Sequence, residues 1–227
     1  FLGAGSVIHA FKDEQDINLM GGAAKKLPYT YLLMLIGTLA LTGFPLLSGF
    51  YSKDAIIEFA YLQGSFLGYS AASIGVFTAL LTSIYSWRLI FKTFHGKYNN
   101  EKISINSLHE SPPIMIIPLS ILAVGAIFSG YLFKDIFFDT TSLNNLWQSS
   151  ILFLQPLSIE HPPLWFILLT PVLVSISIPV SYYIYTINNK IPLIIANSNQ
   201  PLFLFLKNKW YFDCLLYTSD AADDVIS

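Results

Sequence analysis

The sequence predicts an all-α, polytopic membrane fold: a bundle of transmembrane helices, one of them discontinuous. Composition is the first reason, since 54% of the 227 residues are apolar and only 11% are charged, against about 25% charged in ordinary soluble domains. The second is a recurrence of charge-free runs long enough to cross a bilayer, which takes about 20 apolar residues. The third is that one run, Leu27 to Ser52, is broken from within by Gly43-Phe44-Pro45 and Ser48-Gly49 and closes on Lys53-Asp54. An ionisable pair beside a broken apolar helix marks ion pathways in membrane transport proteins.

The chain opens on Phe1, and residues 1–10 read as the last turns of an earlier span. The apolar run from Leu27 continues past Lys53-Asp54 to Leu62, too long for one straight crossing. The economical reading is a first segment to about Thr42, a Gly/Pro break, and a second segment from about Ser52. Backbone groups freed at such a break are tolerated against protein or water but not against lipid, so a cavity is expected beside the pair. Further spans are expected over 67–91, 112–133 and 162–187. Pro28, Pro112-Pro113 and Pro162-Pro163 stand at span starts, where a missing N–H costs least. Pro118, Pro171 and Pro179 fall inside spans and are expected to kink them. Aromatic residues near the ends (Tyr29, Tyr31, Trp87, Phe91, Trp165, Tyr182, Tyr183 and Tyr185) suit interfacial belts.

Orientation follows from the basic residues. If the spans alternate, ten of the 12 lie on one side: Lys12, Lys25, Lys26, Arg88, Lys92, Lys97, Lys102, Lys190, Lys207 and Lys209. The positive-inside rule puts that side in the cytoplasm or its equivalent. The far side keeps Lys134 and Lys53. Its long connection, Lys134 to Glu160, is aromatic and acidic and could hold a short surface helix.

Several function classes are excluded. The net charge of −2 without a basic run gives nucleic-acid binding no support. The single cysteine, Cys214, excludes an intrachain disulfide and a cysteine-ligated iron–sulfur cluster. His109 and His161 stand alone beside Pro-rich span entries and make no metal site. Residues 214–227 continue no earlier pattern. They read as a non-native tail resembling translated sequencing adapter, with a genuine acidic tail as the alternative, and they are set apart from the fold.

One order of motifs points further. Gly3-Ala4-Gly5-Ser6-Val7-Ile8-His9-Ala10 is followed by Asp13-Glu14-Gln15-Asp16 and Met20-Gly21-Gly22. Then come Gly43-Phe44-Pro45, Gly49-Phe50-Tyr51-Ser52-Lys53-Asp54, Tyr85-Ser86-Trp87-Arg88 and Phe94-His95-Gly96. In that order they resemble the antiporter-like L-subunit family of NADH-quinone oxidoreductase (respiratory complex I), the counterpart of mitochondrial subunit 5, over about residues 1–213. The resemblance implies part of one antiporter-like membrane domain at the distal end of a membrane arm, with earlier spans, their central lysine and a later lateral helix outside this sequence. It implies proton translocation driven by quinone reduction elsewhere, with other membrane-arm subunits, the lipid bilayer and protons as partners. No cofactor is expected in this chain, since FMN and the iron–sulfur clusters would sit in other subunits. The bacterial inner membrane is the implied location, ahead of the mitochondrial inner membrane.

Lys53 matches the family's lysine on the broken helix and Asp54 its neighbouring acid. Burial destabilises an ammonium ion relative to the free amine, so a modest change of field can load or unload a proton. The plain alternative for Lys53 is a snorkelling anchor at a helix end. Asp54 cannot be its helical partner, because adjacent positions do not face each other; Asp54 and Glu58 are stacked at i, i+4 and read either as a hydrated exit or as a solvated helix end. His9 and His95 flank loops on the basic side, where a proton relay competes with a surface or capping role. Arg88 reads as a topology anchor, and Thr82, Ser83 and Tyr85 either line a hydrated path or back-bond within their helix. Other functions remain open: a monovalent cation/proton antiporter, a membrane-bound hydrogenase subunit, or a non-conducting membrane scaffold.

Overall fold

A computed structural model describes residues 1–99, 105–138, 162–188 and 190–211. The proposed surface helix between Lys134 and Glu160 falls largely outside the described residues, and the 214–227 tail, Lys102, His161 and Cys214 fall wholly outside them. Every regular element among the described residues is helical. In chain order the α-helices are α1 (Leu2–Ala10), α2 (Pro28–Thr42), α3 (Ser48–Leu62), α4 (Phe66–Ile90), α5 (Pro113–Phe138), α6 (Leu164–Tyr182), α7 (Lys190–Ser198) and α8 (Gln200–Lys207). π-helical turns, Phe91–His95 and Tyr183–Ile187, extend α4 and α6. Among the described residues, three helices are long and apolar enough to cross a membrane, Phe66–His95, Pro113–Ile136 and Leu164–Ile187. The all-α membrane fold with a discontinuous helix is therefore what the sequence forms.

The first compact unit is Phe1–Thr186. Within it α4 packs most extensively on α6, while α3 packs on α4 and α5, and α2 on α5. Small residues make this possible: Ala72, Ala79, Ser83 and Ser86 are buried on α4, and in the absence of a hydrophobic drive between helices such residues let backbones approach closely. Ser83 of α4 and Ser177 of α6 share a hydroxyl–hydroxyl hydrogen bond in the buried interface. One core cluster gathers Phe11, Leu27, Trp87, Ile90, Phe91 and Phe94 around the start of α2 and the end of α4. Another joins Ile57 of α3, Ala72 of α4 and Phe166 of α6, with the Tyr61 and Phe166 rings stacked at 4.2 Å. Large apolar side chains such as Ile117, Ile121, Phe128 and Leu168 point outward, as helices in an apolar solvent require. α5 runs through Pro118 and α6 through Pro171 and Pro179 without interruption.

The second unit starts at Ile187. Its two short helices are separated at Asn199, whose side chain accepts from the Leu202 amide at 3.3 Å and so caps α8.

Candidate functional site at the broken helix

Local sequence dictates the break. Gly43 takes the left-handed conformation (φ 80°), which glycine adopts without strain. Its amide donates to Ala40 O at 3.2 Å and the Phe44 amide to Leu39 O at 3.0 Å. This is the 5→2 and 6→1 pairing of a Schellman stop, and Pro45 follows, where a helix cannot continue. The chain restarts at Ser48, one turn earlier than the sequence pattern suggests. That is possible because Gly49, in the first turn of α3, lies against the Ala40 carbonyl: a Cβ there would collide with the oxygen and sit 2.9 Å from the carbon. Glycine thus lets the start of α3 touch the end of α2.

Lys53 spans that junction. Its Nζ donates to the Thr42 carbonyl at 3.4 Å, and its stem passes Gly43, with Cδ 3.5 Å from where a Cβ would be. The Schellman pairs serve Leu39 and Ala40, so the lysine takes a carbonyl they leave over. The exposed carbonyl end of α2 carries about half a negative charge, which attracts the ammonium. Lys53 therefore does not snorkel away from the bundle; it is half-buried and turned inward to the other half of the broken helix.

Asp54 is 5% exposed, with both carboxylate oxygens buried and without a hydrogen-bond partner. It shares a face of α3 with Ile57, which packs against Gly75 of α4. A cleft of about 720 Å³ lies beside the break, lined by Ala40, Ser48, Tyr51, Ser52, Gly130 and Lys134 among others. α3 turns Ser48, Tyr51 and Ser52 to this cleft, whose lining does not include Lys53 or Asp54, while Ile57 faces α4. Glu58 lies half-buried one turn beyond Asp54.

His9 is not brought to this place. It is exposed in the last turn of α1, beside the cluster of Val7, Phe11 and Leu27 at the start of α2. Lys53 grips the other end of that 15-residue helix, roughly 22 Å away at 1.5 Å per residue. His95 lies 2.9 Å from the Tyr31 hydroxyl, tying the π-turn to the first turn of α2. His109 approaches the Ser107 carbonyl at 3.3 Å. Arg88 lies 5.8 Å from the Tyr185 ring centroid, within reach of a cation–π contact. Thr82 back-bonds to Thr78 O at 2.7 Å and Tyr85 is exposed, whereas Ser83 crosses to Ser177.

Sequence reading passed over Glu110. Its carboxylate accepts from the Tyr29 amide at 2.7 Å, the Thr30 amide at 3.4 Å and the Thr30 hydroxyl at 2.7 Å, capping α2 from the segment that enters α5. An acid just ahead of a proline-led span was the available signal. α2 therefore has an anion at its positive end and a cation at its negative end.

Comparison with known proteins agrees with this architecture. Residues 1–82 match the family model described as the transmembrane region of NADH:quinone oxidoreductase and Mrp antiporters, and residues 85–149 match the C-terminus of NADH dehydrogenase subunit 5. Among similar proteins, NADH-ubiquinone oxidoreductase chain 5 of Marchantia polymorpha is 42% identical over 94% of this chain and 33% of its own length. The chain 5 proteins of Phytophthora infestans and Arabidopsis thaliana are 41% and 40% identical over 96% and 95% of this chain, again 33% of theirs. The chain thus spans about a third of the length of the curated relatives it matches. With a broken helix gripped by a lysine and both stretches matched in order, the chain belongs to the NADH dehydrogenase subunit 5 family, the antiporter-like membrane subunits of complex I.

Proposed function

We propose that this chain is the part of a proton-translocating subunit of NADH:quinone oxidoreductase that carries a lysine half-channel. The observation that supports it best is the Lys53 ammonium on the Thr42 carbonyl across the break. A single carbonyl contact at 3.4 Å is long for an N–H···O bond, so the group is held in place and yet is free to exchange a proton. Lys53 takes and releases the proton as charge shifts along the membrane arm change the field around it. Asp54, buried without a hydrogen-bond partner and adjacent in sequence, assists the exchange, with Glu58 one turn further on. His9, at the opposite end of α2, serves only as a distant relay on the basic side.

Other membrane-arm subunits are the partners, and the redox groups that drive transport belong elsewhere in the complex. The membrane is an energy-coupling inner membrane: the motifs suit the bacterial one, whereas the eukaryotic sources of the named relatives favour the mitochondrial one. A cation/proton antiporter is the second reading, because the family description covers Mrp antiporters as well.

The test is Lys53→Ala in the intact subunit. Protons moved per electron fall while assembly and NADH oxidation persist; an unchanged proton yield in assembled complex sinks the proposal. Sodium-dependent transport without NADH oxidation would point to the antiporter, and loss of assembly alone to a scaffold.

A further inference from the structure

We infer that Glu110 is a positioning residue for Lys53, acting through α2 as a strut held at both ends. The inference rests on the proton-transfer reading of Lys53. At each end of α2 a charged side chain from elsewhere in the chain holds its backbone. At the start, Pro28 has no N–H to offer, and the Glu110 carboxylate takes the next two amides and the hydroxyl of Thr30, a residue with no exposed surface. At the end, Lys53 takes the Thr42 carbonyl. α2 itself has 15 residues, about 22 Å of helix, too short to be fixed by spanning a bilayer of about 30 Å.

The arm that carries Glu110 also reaches the break. Ser111, its neighbour, donates to Ser6 O of α1 at 3.1 Å, which fixes the carboxylate from behind. From Pro113 onward α5 packs along both α2 and α3. At Gly130 it lies so close to the start of α3 that a Cβ would sit 2.6 Å from the Ser48 Cα. One continuous segment, Glu110 to Gly130, therefore sets the start of α2 and the start of α3 together. Lys53 bridges the gap between α3 and the far end of α2. Because its bond is already 3.4 Å, at the outer limit of useful geometry, a small axial slip of α2 takes the carbonyl out of reach. A local cap would stabilise α2 alone; a strut makes the state of Lys53 depend on Glu110.

The experiment places Glu110→Ala, Glu110→Gln and Lys53→Ala in the intact subunit within its complex, singly, and Glu110→Ala also paired with Lys53→Ala. Protons per electron are read at equal assembly and equal NADH oxidation. Glu110→Ala removes every acceptor, and loss of a helix cap shifts the gripped population by about fivefold, so its proton yield falls toward that of Lys53→Ala. Glu110→Gln keeps an oxygen for the Tyr29 and Thr30 amides and restores most of the yield. The double variant is no worse than Lys53→Ala alone, because the two residues act in series. Additive losses, or a normal yield in assembled Glu110→Ala, overturn the inference. If Glu110→Ala does not assemble, Thr30→Val, which removes one of the three bonds, goes through the same cycle, and additivity there overturns it equally. A normal yield for Lys53→Ala instead defeats the underlying proton-site reading, so the two failures are told apart.

Discussion

Gly49→Ala should loosen the broken helix although alanine is the better helix former. Helix propensity favours alanine over glycine by up to about 1 kcal/mol, so a residue in the first turn of α3 would ordinarily gain from the change. Here the new methyl falls on the Ala40 carbonyl, colliding with its oxygen and lying 2.9 Å from its carbon. Both neighbours are backbone, and Ala40 O already accepts the Gly43 amide of the helix stop. Restoring ordinary contact means parting α2 and α3 by about 1 Å, and overpacking of this kind costs about 1–3 kcal/mol. The same separation carries Thr42 O out of reach of Lys53, forfeiting a helix-end grip of up to about 2 kcal/mol. The net loss is therefore roughly 0.3–4 kcal/mol once the propensity gain is subtracted. The assay is heat inactivation of the complex in native membranes, with protons per electron measured on the fraction that survives. Gly125→Ala on α5, where a Cβ meets nothing within 4 Å, is the control and should be neutral or slightly stabilising. If Gly49→Ala inactivates at the wild-type temperature with a full proton yield, α2 and α3 are not held at this contact.

At Gly43 the constraint is the backbone and not space, since the nearest side-chain atom would be at ordinary contact distance. Gly43→Asn should cost less than about 1 kcal/mol and Gly43→Val about 1–2 kcal/mol, read by heat inactivation in the same membranes. In the α4–α6 interface, Ser83→Ala should cost only about 0.6 kcal/mol, because Ser177 keeps its bond to Val174 O at 2.7 Å. Ser83→Leu should block assembly instead, since Ser83 has no exposed surface; normal assembly of that variant would argue against close packing of α4 on α6.

The fold class was legible because the bilayer imposes a simple rule: long uncharged runs must become helices, and charges must gather between them. The break was legible for a different reason. Gly43 and Pro45 act through their own backbone chemistry, which sequence displays directly. Where α3 restarts was not, since Ser48 depends on Gly49 finding the Ala40 carbonyl, a contact between two helices. For the same reason sequence could bring Lys53 to the break but could not name its acceptor, a main-chain carbonyl having no letter of its own. Glu110 was hidden by distance along the chain, 80 residues from Thr30, and the Ser83–Ser177 pair by 94. Motifs announce residues whose work is local; these residues act on remote partners.

The choice of partner for Lys53 bears on what it can do. An ammonium held by a carboxylate in a poorly hydrated site makes a strong charge-assisted bond, and removing one member leaves the other uncompensated at a cost of several kcal/mol. Such a pair resists giving up its proton. Asp54 is next to Lys53 in sequence, yet helical geometry turns adjacent side chains about 100° apart, and the carboxylate is buried without a hydrogen-bond partner. Lys53 is left with the carbonyl end of a helix, whose partial charge holds a cation with about 0.3–1 kcal/mol at exposed termini and up to about 2 kcal/mol when partly buried. A grip of that size positions the amine and can be overcome by a modest change in field. Breaking the helix is what makes it available, because a continuous helix satisfies its own carbonyls and would have none to offer. The Gly/Pro break thus supplies the acceptor as well as the bend, which explains why the lysine lies on the restarted half and reaches back.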